Sequence, residues 1–146
     1  MNQTADPFRR ALAAYAAAAR AKDIEAFLAL YDEEVVLFDL WGSWSLRGIE
    51  TWRTAVTDWF GSLGDQLLVV TADDVESRVD GDLAVGHAIL TYAAFSADGR
   101  ALRSLDNRIT MVLKRCGDAW RIVHEHTSAP VDHATSKAVL KRGSIS

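Results

Sequence analysis

His124 and His126 flank a single residue, and Asp106 and Arg108 repeat that spacing earlier in the chain. Side chains alternate along an extended strand, so each pair shares a face. Two imidazoles placed in this way can chelate a metal, with Asp39 or His87 completing the set. A lone His-x-His is a weak pattern, however, and the same rings can hydrogen-bond to carboxylates such as Asp106 and brace a sheet. No metal and no cofactor is expected. Asp106 and Arg108 start about 7 Å apart on a strand. At an effective dielectric near 20, unit charges at that separation interact by roughly 2 kcal/mol, which favours an ionised Asp106. The planar fork of Arg108 suits an anionic or carbonyl oxygen. Asp39 closes an apolar run beside Leu37 and Leu40, where partial desolvation lifts a carboxylate toward the range of a general base.

The elements that must position these groups follow from period and punctuation. Asp6-Pro7 reads as a helix entry, with an acceptor at the cap and a proline in the first turn. Phe8, Leu12, Tyr15 and Ala19 then recur at helical spacing. Asp23 caps a second helix with Ile24, Phe27, Leu28 and Tyr31 inside. A third follows Gly48, carries Trp52, Val56, Trp59 and Phe60, and ends before Gly61 or Gly64. The period then changes. Residues 67–79, 83–95, 102–114 and 119–127 read as four long strands, divided by Asp80-Gly81-Asp82, Asp98-Gly99 and Gly117-Asp118. A shorter strand covers 35–40, with another near Ser45. Residues 133–146 read as a loosely held polar tail. Helices first and strands after imply a single α+β domain over 1–132, helices packed on one face of an antiparallel sheet.

Period also sorts the strand faces. His87, Ile89 and Thr91 form one set, and Asp106, Arg108, Thr110 and Val112 another. Trp120, Ile122, His124 and His126 are opposed by Arg121, Val123, Glu125 and Thr127. The latter set holds two charges, so the sets containing the histidines and Asp106 are expected on the concave side. The opposite face, with Leu90, Tyr92, Ile109, Met111 and Val123, is then an apolar outer surface, which predicts a homodimer. Trp52 and Trp59 read as core, and Trp41 and Trp44 as the lip of a pocket.

The passage Tyr31-Asp-Glu-Glu-Val-Val-Leu-Phe-Asp39 and the string Trp120-Arg-Ile-Val-His-Glu-His-Thr-Ser-Ala-Pro130 resemble the nuclear transport factor 2-like superfamily. Within it, the similarity is to SnoaL-like proteins called ketosteroid isomerase homologues, over roughly residues 8–132. The resemblance implies a cone: three N-terminal helices wrapped by a curved antiparallel sheet, with a ligand pocket inside, in commonly dimeric proteins. It also implies site residues. Tyr15 matches an oxyanion-hole tyrosine, Asp39 a proton-shuttling base, and Asp106 an aspartic acid that stays protonated to donate to the same oxyanion. Each has a plain structural alternative: a core tyrosine, a turn cap, and a structural acid paired with Arg108 or Arg103.

The chain has 146 residues, 49% hydrophobic and 25% charged. A chain of this length buries roughly 70% of its unfolded surface without staples. Sixteen basic and twenty acidic residues give a net charge of −4, which argues against nucleic-acid binding. No apolar run approaches the ~20 residues of a membrane span, and residues 1–8 carry no secretory pattern. Cys116, alone beside Gly117, reads as a bystander at a hairpin tip. The expectation is a cytoplasmic small-molecule pocket protein whose site gathers Asp39, Asp106 and Tyr15 with Trp41, His87, Arg108, His124 and His126. Its chemistry would be acid–base work of isomerase, cyclase or lyase type on a polar carbonyl-containing metabolite. The alternative is a non-catalytic ligand-binding or dimeric association module, favoured if Asp39, His87, Arg108 and His124 consume one another in a closed network.

Overall fold

Asp6 starts the first helix as its spacing predicts. Its side chain accepts the backbone N–H groups of Phe8 (3.0 Å) and Arg9 (3.2 Å), two donors that a helix start otherwise leaves orphaned. The structure, a computed structural model, describes residues 6–143. The polar run before Asp6 and the final Ser-Ile-Ser of the expected tail lie outside them. Helix α1 (Pro7–Ala21) ends at Lys22, and α2 (Ile24–Leu28) is capped by Asp23 through the N–H of Ala26. Strand β1 (Tyr31–Phe38) and the two-residue β2 (Leu46–Arg47) precede α3 (Ile49–Leu63). That helix runs through Gly61 and stops at Gly64, whose φ of 56° a side-chain-bearing residue rarely adopts. Strands β3 (Leu67–Asp80), β4 (Leu83–Phe95), β5 (Ala101–Cys116) and β6 (Ala119–Ser128) complete the fold.

One curved, unclosed sheet runs in the order β2-β1-β6-β5-β4-β3. Neighbours are antiparallel except β1 and β6, which run parallel. The intervening helix and hairpins supply the long connection a parallel pair needs. The helices fill the concave side, and at one end the ring of buried Phe8 lies directly on Gly86. Among the described residues no helix is long and apolar enough to cross a membrane. Cys116 is exposed at the β5–β6 turn, as its neighbours suggest.

The strand faces are the reverse of the sequence expectation. On β5 the buried set is Asn107, Ile109, Met111 and Leu113; Asp106, Arg108, Thr110 and Val112 face outward. On β4, Ala84, Gly86, Ala88 and Leu90 are buried, and His87 is outside. Strand β6 is subtler. Val112 pairs with His124 but Leu113 pairs with Ile122, so Val123 is an extra residue in a bulge. The bulge shifts the alternation. Ile122, Glu125 and Thr127 are all buried, and His124 and His126 turn outward. Counting charges misassigned this strand because Glu125 is a buried charge-bearing residue with a partner, Tyr31. The apolar patch expected to pair protomers is likewise internal, since Leu90, Ile109 and Met111 belong to the core.

Residues 129–143 are also better held than a polar tail suggests. Val131 bridges Ala138, Val139 N–H donates to the Pro130 carbonyl (2.7 Å), and Asp106 N–H donates to the Leu140 carbonyl (2.7 Å). The segment therefore lies along the outer side of β5.

Candidate functional site

Away from the Phe8–Gly86 end, the concave face opens into a cavity of about 640 Å³. Its walls are aromatic: Trp52 and Trp59 come from α3, Tyr15 from α1, Tyr92 from β4, and Trp41 from the loop after β1. Asp39 reaches it because Val35 and Leu37 face the core, and the next residue of that parity follows at the strand end. The Thr127 hydroxyl accepts the Leu40 N–H (2.8 Å) and donates to Asp39 Oδ1 (3.3 Å), while the Trp41 N–H donates to Oδ2 (3.3 Å). Burial raises the Asp39 pKa above the usual carboxylate value, and these hydrogen bonds oppose the shift without cancelling it.

The hydroxyls of Tyr15 and Tyr92 lie 2.7 Å apart. Burial pushes both phenols upward, and for Tyr92 hydrogen bonds with Tyr15 and Asn107 pull the other way. The charge of Asp39 adds to the upward shift of Tyr92, so carboxylate and phenol lie within electrostatic reach. Below them Tyr31 donates to Glu125 Oε1 (2.7 Å). Glu125 is 2% exposed, and burial pushes its pKa up to about 8. Two sealed polar atoms of cavity-lining residues, Trp52 Nε1 and Asn107 Oδ1, have no hydrogen-bond partner among the described residues. Such atoms are rare in packed interiors.

Of the residues expected to converge, the cavity gathers Tyr15, Asp39 and Trp41. Asp106 sits on the opposite side of the sheet, where it accepts the Arg142 N–H (2.8 Å) and the Thr91 hydroxyl (2.7 Å). The Arg142 N–H chiefly, with Thr91 and the Arg142 charge, holds its carboxyl below the ordinary value. The partner of Asp106 is thus Arg142 rather than Arg108 or Arg103. Arg108 is also outside, with Nε on the Ser128 hydroxyl (3.0 Å). His87 is exposed, 3.9 Å from Glu76. His124 holds its Nδ1 2.7 Å from the Val36 carbonyl, and both His124 and His126 meet the Phe38 ring edge-on. The cause is common to all five: the face inversion on β4 and β5 and the bulge on β6.

The residues that replace them in the cavity wall are Tyr92, Thr127 and Asn107, with Glu125 buried behind it. A signal existed. The set Asn107, Ile109, Met111, Leu113 is more apolar than Asp106, Arg108, Thr110, Val112, and weighing that contrast identifies the concave side of β5. Among the described residues no three His, Cys, Asp or Glu side chains are grouped to hold a metal ion.

The sequence matches the SnoaL-like domain family over residues 9–132. No curated protein matches the chain. A solved NTF2-like protein of unknown function from Pseudomonas putida shares 26% identity over 96% of each chain, with a TM-score of 0.81. Aln2 from a Streptomyces species shares 16% identity over 84% of this chain and 87% of its own, with a TM-score of 0.75. An NTF2-like protein with a cystatin-like fold from Novosphingobium aromaticivorans shares 17% over 89% and 84%, at a TM-score of 0.73.

Proposed function

The chain belongs to the SnoaL-like domain family, and on that footing we propose that its cavity binds a carbonyl-containing small molecule and performs general acid–base chemistry of isomerase, cyclase or lyase type. One observation carries the reading: a partly desolvated carboxylate, Asp39, and a hydrogen-bonded phenol pair, Tyr15–Tyr92, share the wall of one aromatic cavity. Abstraction of a proton next to a carbonyl needs both a base and a donor for the enolate oxygen that forms. Asp39 serves as the base, anchored by Thr127 and the Trp41 N–H. A phenol whose pKa is raised keeps its proton and donates to the oxygen. Asp106 has no part in this scheme, and the donor role that the resemblance implied for it passes to the phenol pair.

The association-module alternative loses its specific support, because Asp39, His87, Arg108 and His124 each bond elsewhere and form no closed network. The test uses 2-tetralone, an aromatic ketone with exchangeable protons beside its carbonyl, followed by NMR in heavy water. The protein is expected to accelerate deuterium exchange, and Asp39→Asn to reduce that acceleration by about 100-fold or more. Unchanged exchange in Asp39→Asn removes Asp39 from the mechanism.

The reading includes a homodimer paired through the outer sheet face, where Val85 is 42% exposed and lies across from Val112. Light scattering is expected to give twice the 16.0 kDa chain mass, and a 16.0 kDa particle at micromolar concentration refutes it.

A further inference from the structure

The inward residues of β5, taken from the closed end outward, are Leu113, Met111, Ile109, Asn107, Leu105 and Arg103. The row ends in a cation. Arg103 pairs with Ala94 across the sheet and is exposed at the open rim of the cavity, where it is the one cation among the described lining residues. Its Nη2 donates to Gln66 Oε1 at 2.9 Å, a neutral acceptor that holds the side chain without discharging it. Arg9, Arg53, Arg115 and Arg142 each meet a carboxylate, whereas no described carboxylate lies within ion-pair distance of Arg103. A guanidinium carries five N–H donors in a flat fork that matches a carboxylate. Among the described residues, Gln66 is the one side-chain acceptor that this fork meets.

Tyr92 pairs with Leu105, one inward step from Arg103. Two residues along a strand place the phenol and guanidinium rows about 7 Å apart, a separation that a fused two-ring system bridges. Trp41, Trp52 and Trp59 supply faces for such rings. We propose that Arg103 is the anion-binding end of this cavity, and that the preferred ligand is a fused-ring or aromatic carbonyl compound bearing a carboxylate or equivalent oxyanion at the end remote from Asp39. The proposal rests on the cavity being the ligand site and adds to it the ligand's charge and polarity.

The experiment compares two dyes by fluorescence titration: 1-anilinonaphthalene-8-sulfonate and N-phenyl-1-naphthylamine, the same skeleton without the sulfonate. Arg103→Gln keeps a neutral group beside Gln66 and is expected to weaken the anionic dye about tenfold while leaving the neutral dye within about twofold. Arg103→Lys should recover part of the loss. In competition, 2-naphthoate should displace the anionic dye at about tenfold lower concentration than 2-naphthamide. Equal losses for both dyes, unchanged affinities, or equal competition by acid and amide overturn the proposal. In those cases the deuterium exchange of Asp39→Asn still decides the acid–base reading separately. If neither dye binds the wild-type protein, the aromatic-ligand assignment falls with the proposal.

Discussion

Glu125→Gln removes an ionisable group from the core while keeping an amide oxygen to accept the Tyr31 hydroxyl. Glu125 has its pKa moved from 4.5 to about 8, by burial first and by the Asp39 charge in addition. The folded state therefore holds a proton that the unfolded chain has released, and stability falls as pH rises from about 4.5 to about 8. A displacement of about 3.5 units corresponds to ~5 kcal/mol once both states are ionised. At pH 7 the folded carboxyl is still mostly protonated, and the penalty is ~3 kcal/mol; at pH 5 it is ~1 kcal/mol. The glutamine variant escapes this cost. Urea unfolding at pH 5, 6, 7 and 8 should show the variant gaining on the wild type by ~2 kcal/mol between pH 5 and 7. Asp39, also raised by burial, loses stability with rising pH in both proteins, and only its coupling to Glu125 differs between them. Asp6 and Asp106 have lowered pKa values, so the stability they add is lost only as pH falls below the ordinary carboxylate range. Parallel pH curves for the two proteins, or a variant less stable at pH 7, would refute a buried neutral Glu125.

Gly86→Ala would place a methyl carbon 2.1 Å from the buried Phe8 ring. Overpacking there should cost ~1–3 kcal/mol and lower the melting temperature by roughly 3–10 °C, with partial recovery when Phe8→Leu is added; an unchanged melting temperature contradicts the contact. Asp106→Ala removes the acceptor of the Arg142 N–H and the Thr91 hydroxyl, which should cost ~1–2 kcal/mol. Hydrogen exchange at Arg142 and Val139 should quicken while N-phenyl-1-naphthylamine affinity holds, and a loss of that affinity would return Asp106 to the cavity.

The sequence by itself determined most of the elements. The exception is β1: read over 35–40, it runs over Tyr31–Phe38 and takes Tyr31 from the expected second helix, because that helix stops at Leu28. Asp6-Pro7 and Asp23 announce their helices because cap chemistry is local, and the Asp-Gly and Gly-Asp turns place the strand ends within a residue or two. The resemblance supplied Tyr15 and Asp39, and aromatic residues beside a strand end marked Trp41. Tertiary structure decided which side of each strand faces the helices. Period-2 alternation tells which residues travel together, but it carries no sign. The sign is set by long-range packing: Phe8 needs the bare backbone of Gly86, and that contact turns His87, Arg108 and Asp106 outward as one block. The bulge at Val123 breaks the alternation within β6, so Ile122 and His124, two residues apart, face opposite sides. Glu125 is tolerated inside because Tyr31, distant in sequence, satisfies it. Arg103 becomes the cavity's cation because six alternating positions on β5 lead from the core to the rim. Apart from the alternation that leads to Arg103, each of these outcomes depends on a contact between residues far apart in the chain, which local pattern does not encode.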